Sequence, residues 1–153
     1  MDADQNFTVD VKKKEVVAAA MPTVEFWLPL SNLDLLMPPL DASMFYCYKS
    51  HGVEEGRAEE EFFSSRVGIL KEALAKALVP FYVLAGEIVC SAVGEPEVLC
   101  NNRGVEFTVA FADIKLCELN LHRPDESIGG KLVPERKQGV LSVQVIFLIV
   151  PDT

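Results

Sequence analysis

The chain has 153 residues, half of them apolar, and carries a formal net charge of −9. That is one domain's length, with enough apolar side chain to bury a core unaided by disulfides or metal. The acidic balance excludes a nucleic-acid partner, whose backbone is bound by clustered Lys and Arg; the one basic run, Lys12-Lys13-Lys14, reads as a solvated strand face.

The four cysteines, Cys47, Cys90, Cys100 and Cys117, show no CxxC spacing, so buried free thiols are expected rather than a zinc site. Met1-Asp2-Ala3-Asp4 is acidic and precedes no long apolar run, which argues against a secretory signal and for a cytoplasmic chain. The glycosylation-type triplet Asn6-Phe7-Thr8 is then a chance match. The longest apolar run, Val145 to Val150, is far short of the roughly 20 residues a membrane span needs.

From Phe7 to Ala20 the apolar residues alternate and then become continuous, predicting a strand that is half exposed and then buried. Trp27-Leu28-Pro29-Leu30 reads as a loop whose Trp27 anchors it to the core. Ser31-Asn32-Leu33-Asp34 has the spacing of a capping box, and Pro38-Pro39 leaves room for one helical turn. Ser43 to Tyr48 predicts a strand with Met44, Tyr46 and Tyr48 on one face and Phe45 and Cys47 on the other.

Glu59-Glu60-Glu61 suits a helix N-terminus, and Phe63, Val67, Leu70, Leu74 and Leu78 then recur as one buried helical face. Gly68 inside it weakens the helix. Pro80 stops that helix, Phe81-Tyr82-Val83-Leu84 is expected to cross the core, and Gly86 supplies backbone freedom before a strand at Glu87 to Ser91. Glu97 to Cys100 and Val105 to Ala110, joined by Asn101-Asn102-Arg103-Gly104, predict a hairpin. Asp113 can cap a short helix through Leu119. Leu121 to Gly139 is a long connection anchored by Leu132-Val133-Pro134, and Val140 to Val150 is a strand buried on both faces. The expected architecture is one α/β layer structure, a mixed β-sheet with one main amphipathic helix packed on it.

No motif of independent chemical force is present: no GxSxG, no phosphate-binding glycine loop, no HExxH and no suitable Cys-His pair. The two histidines, His51 and His122, each have a glutamate four residues later, Glu55 and Glu126, and read as solvated loop residues.

The runs Leu30-Ser31-Asn32-Leu33-Asp34, Met44 to Tyr48, Leu70-Lys71-Glu72-Ala73-Leu74, Phe81 to Gly86, Cys100 to Phe107, Ala112-Asp113 and Val143-Gln144-Val145 together resemble the plant BAHD acyltransferases, hydroxycinnamoyl transferases above all. Their order matches from Val9 to Val145. Val83 stands where the family usually has proline, and Glu87 where it often has arginine.

The resemblance implies transfer of an acyl group from a coenzyme A thioester to an alcohol or amine, without metal. It implies the N-terminal half of a two-domain, chloramphenicol-acetyltransferase-like fold with the active site between the domains. The family's catalytic HxxxD, whose histidine is the base, and its DFGWG are both missing here. In the family the strand matching Val140 to Val145 leads through a Lys-Cys-Gly-Gly turn toward HxxxD, whereas this chain continues Ile146 to Thr153. Residues 1–153 are therefore expected to be a single, incomplete, inactive N-terminal domain. Asp41, Ser43 and Tyr46 match the family's acceptor-pocket wall and are the candidate site residues, with a turn or sheet packing as their alternative role. The open edge of the Val140 to Val150 strand is an expected site of self-association, or of docking on a full-length relative in a non-catalytic role.

Overall fold

A computed structural model describes residues 7–38, 40–48, 59–120, 131–133 and 139–148. Among the described residues six strands form two sheets: β1 (Val9–Val17), β5 (Val105–Ala112) and β6 (Ser142–Leu148) in the order β1-β5-β6, and β2 (Phe26–Pro29), β4 (Pro96–Cys100) and β3 (Glu87–Cys90) in the order β2-β4-β3. The helices are α1 (Asn32–Leu36) and α2 (Glu59–Ala77), with 3₁₀ turns at Tyr82–Ala85 and Leu116–Glu118. The α/β class stands, but the strands divide between two sheets instead of sharing one. The first sheet is mixed, because β5 runs antiparallel to β1 and parallel to β6.

The first sheet is covered on both faces. On one, Val67, Leu74 and Ala75 of α2 pack over Val17, Phe107 and Val109. Phe63 meets Phe111 edge-on at 5.4 Å and Phe147 at 4.5 Å between ring centroids. On the other, Ala112, Ile146 and Leu148 join Phe7, Ile114, Leu119 and Leu132 in a second core. Of the strand expected from Val140 to Val150, Ser142–Leu148 is found and carries apolar residues on both faces, Ile149 and Val150 lie outside the described residues, and Leu132 is buried as the expected anchor. Among the described strands β6 pairs only with β5, and its residues are half-buried.

Several expectations are corrected by non-local contacts. A bulge between Val11 and Lys13 shifts the register of β1, so Val9 and Val11 face one side and Lys13, Glu15 and Val17 the other. Val17 is consequently buried while Val16 is exposed, and Ala18 to Ala20 lie beyond the strand. The inward seam of α2 runs Phe63, Val67, Lys71 and Leu74/Ala75 to Leu78. Lys71 takes the place expected of Leu70 because its Nζ donates to Glu15 Oε2 at 2.7 Å, and Leu70 is exposed. Trp27 lies in β2 opposite Leu99 and is more than half exposed, so it does not anchor a loop to the core. Residues 43–48 do not form the expected strand, and among the described residues no strand pairs with them.

The helix-to-strand junction is also rearranged. The helix stops before Pro80 as expected, with Leu78 N donating to Leu74 O and Phe81 N to Ala77 O. The aromatic pair does not cross the core: the chain coils into a 3₁₀ turn with Phe81 exposed and the Tyr82 ring tilted at 60° against Phe26, 5.5 Å between centroids. Leu78 and Ala85 fill a third core with Val105. Gly86 has an ordinary φ of −94°, and what it supplies is room: a Cβ there would lie 2.6 Å from the Leu99 carbonyl oxygen. The hairpin is β3–β4, closed by Ser91 and Glu95, whereas β4 and β5 belong to different sheets. Asp113 does not cap the short helix, which begins after Lys115; its carboxylate is occupied by Thr8.

Candidate functional site

The stretch Ser31 to Tyr48 holds all three candidate residues. Its start is fixed by a capping box: Ser31 N donates to Asp34 Oδ2 at 2.9 Å, and Asp34 N donates to Ser31 Oγ at 3.2 Å. The Ser31 hydroxyl, then its backbone N–H, hold the Asp34 carboxyl below its ordinary value. One helical turn follows, closed by Met37 N donating to Asp34 O at 3.1 Å. The chain then passes Asp41, and of residues 41–48 Phe45 alone is half-buried, packed against the same core as Ile146 and Leu148.

Asp41, Ser43 and Tyr46 are all exposed on this stretch. Tyr46 is exposed next to the half-buried Phe45. Its hydroxyl reaches Met44 Sδ at 3.5 Å. His51, His122, Glu55 and Glu126 lie outside the described residues, as does the triplet's Asn6. Cys100 is buried, which pushes its thiol up, but Cys47, Cys90 and Cys117 are exposed, contrary to the expectation of buried thiols. Among the described residues no group of three or more His, Cys, Asp and Glu converges as metal ligands, and no helix is long and apolar enough to cross a membrane.

Three polar clusters escaped the sequence reading. Asn101 Nδ2 donates to Glu87 Oε2 at 2.7 Å and the Arg103 guanidinium pairs with Glu87 Oε1, so Asn101 first and Arg103 next hold the Glu87 carboxyl low. Thr8 donates its N–H and its hydroxyl to the Asp113 carboxylate, lowering it too. Glu15 is lowered by Lys13 and then Lys71. The departure of Glu87 from the family's arginine was the one visible signal among them. These pairs stitch strands and turns together; none places a base beside Asp41, Ser43 or Tyr46.

Comparison with known proteins carries the assignment further. The model of the Transferase family matches residues 7–149. Putrescine hydroxycinnamoyltransferase 1 of Oryza sativa subsp. japonica is 35% identical over 141 residues, 92% of this chain and 31% of that enzyme. A hydroxycinnamoyltransferase of Narcissus pseudonarcissus is 36% identical over 131 residues, 86% of this chain and 28% of the relative. Shikimate O-hydroxycinnamoyltransferase of Nicotiana tabacum is 32% identical over 142 residues, 92% and 31%. The chain therefore spans about a third of the length of these relatives. Among solved structures, vinorine synthase shares the fold with a TM-score of 0.50 at 19% identity, over 92% of this chain and 35% of that one. The chain belongs to the Transferase family, the BAHD acyltransferases.

Proposed function

We propose that these residues form the first-domain portion of an enzyme that moves a hydroxycinnamoyl group from its coenzyme A thioester to an alcohol or amine in the cytoplasm. In that reaction the acceptor adds to the thioester carbonyl, the acceptor proton passes to a base, and the C–S bond breaks to release the CoA thiol. Acyl-CoA is a co-substrate, and no resident metal or other cofactor is invoked. Asp41, Ser43 and Tyr46 stay the candidates for contact with the acceptor.

The same 153 residues, taken alone, are proposed not to catalyse transfer. The observation that carries this is the pairing of a family match over residues 7–149 with two histidines, neither of which has an aspartate four positions on. Loss of a positioned base costs about 10² to 10⁴ in rate. Purified chain incubated with p-coumaroyl-CoA or feruloyl-CoA and shikimate, an amine or a fatty alcohol is expected to release no CoA thiol and form no acylated product. A product above the enzyme-free rate overturns this reading.

A second, non-catalytic reading is favoured by the two edges of the first sheet. β1 carries Asp10, Lys12, Lys13, Lys14 and a bulge, all of which oppose strand addition, whereas β6 has no charged residue over Ser142–Leu148. In that reading the chain pairs through β6 with itself or with a full-length relative. Co-purification with such a relative, lost on adding edge lysines to β6, is the expected result.

A further inference from the structure

Segments remote in the chain meet at Phe7 and Thr8, just ahead of β1. The Thr8 N–H and hydroxyl both donate to the Asp113 carboxylate, the hydroxyl at 2.8 Å, and Asp113 N donates back to Thr8 O at 3.3 Å. Lys131 Nζ donates to Phe7 O at 3.3 Å and lies 4.5 Å from the centroid of the Phe7 ring. Residues 7 and 8 are thereby clasped between the end of β5 and Lys131. A segment flanking a strand frays unless it is tied down in this way.

The Phe7 ring is what the clasp secures. It is 6% exposed and forms one core with Ala112, Ile114, Leu119 and Leu132, on which Phe45 also packs. Asp41, Ser43 and Tyr46 lie exposed on either side of Phe45. A ring that leaves a close-packed core takes away the contacts of its neighbours, so Phe45 is less firmly held whenever Phe7 leaves.

We infer that Phe7, Thr8 and Asp113 are positioning residues for the stretch from Asp41 to Tyr48: by keeping Phe7 in the core they hold Phe45, and with it Asp41, Ser43 and Tyr46. That these three face an acceptor rests on the proposed function; that the clasp holds their stretch does not. Opening of the clasp is local, because the β1–β5 ladder runs from Val9 and Ala112 onward and uses none of these contacts.

Chymotrypsin reads the stretch directly, since it cleaves after aromatic residues and cuts a bond only when the chain around it opens. In Thr8→Ala combined with Asp113→Ala, cleavage after Phe45 and Tyr46 is expected to be at least about fivefold faster than in the parent chain, with cleavage after Phe107 and Phe111 of β5 unchanged. Phe7→Leu, which keeps the core apolar, is expected to speed the same cuts. Lys12→Ala removes a different ion pair of β1, that with Asp10, and is expected to leave them unchanged. Equal cleavage after Phe45 and Tyr46 in parent and variants overturns the inference. Equal acceleration in β5 also does, because the contacts then stabilise the whole chain and position nothing. A Lys12→Ala chain cut as fast as the clasp variants is equally fatal. None of these readouts involves acyl transfer, so the clasp and the proposed function stand or fall separately.

Discussion

Glu87 shows how one residue's chemistry is settled by distant partners. The family's arginine at this position would face Arg103, so Glu87→Arg replaces an ion pair by two like charges at a half-exposed site. The expected cost is about 1 kcal/mol, or a few degrees in melting temperature for a chain of this size. Glu87→Arg combined with Arg103→Glu should recover most of the loss, and a double mutant no more stable than Glu87→Arg alone would remove the pair from the account. The Asn101 to Gly104 turn has a sharper requirement. Gly104 has φ +97°, and a Cβ there would lie 2.7 Å from Val16 Cγ1 and 2.8 Å from the Val17 carbonyl oxygen, so Gly104→Ala is expected to cost more than about 2 kcal/mol in a urea titration. The carboxylates give a pH dependence. Asp34, Glu87 and Asp113 all sit below their unfolded values, so the stability they contribute is present at neutral pH and is lost as pH falls through their lowered folded values. Asp113→Asn should flatten that acid limb of the urea midpoint against pH.

Elements fold where local signal and tertiary demand agree, and α2 (Glu59–Ala77) with the turn that follows it contains both. Gly68 is exposed and a Cβ there meets nothing within 4 Å, so Gly68→Ala is expected to stabilise the chain by about 1 kcal/mol. Leu78 is almost fully buried against Ala85 and Val105, and Leu78→Ala is expected to cost about 2–5 kcal/mol. Thermal melts separate the two in sign. The helix, its proline stop and the capping box were legible in the sequence because each is written within a few neighbouring residues. Lys71 in the inward seam was not, because the residue that makes it tolerable, Glu15, lies 56 positions away. The β4–β5 turn misled for the same reason: Asn102 Oδ1 accepts from Ala19 N at 2.8 Å and Gly104 N donates to Ala85 O at 2.9 Å, so a hairpin-like sequence carries the chain from one sheet to the other. Of the candidate site, the positions of Asp41, Ser43 and Tyr46 came from resemblance alone. Nothing in the sequence distinguishes a pocket wall from an exposed surface stretch, because the difference lies in what packs against these residues and not in the residues themselves.

At the scale of the whole molecule, the two edges of the first sheet decide how the chain behaves in solution. On β1, Lys12 pairs with Asp10, Lys13 with Glu15 at 2.8 Å and Lys14 with Glu106 at 3.7 Å. A strand approaching that side must desolvate these charges and follow a bulged backbone, which disfavours pairing. On β6, Ser142 to Leu148 has high strand propensity, no charge and no proline, the properties of a segment that adds to another chain. The net charge of −9 opposes association at long range, but at physiological salt it is screened beyond about 8 Å and does not act at the contact. The chain is therefore expected to associate through β6 at micromolar concentration and above, as read by light scattering on a sizing column. Ser142→Lys with Gln144→Lys places charge on that edge, and the lysine at 144 can still donate to the Leu132 carbonyl that Gln144 now meets at 3.1 Å. The double variant should run near the 16.9 kDa of one chain without loss of melting temperature. A parent chain that is monomeric at high concentration would remove β6 as a contact, and a variant that associates as strongly as its parent would place the contact elsewhere on the surface.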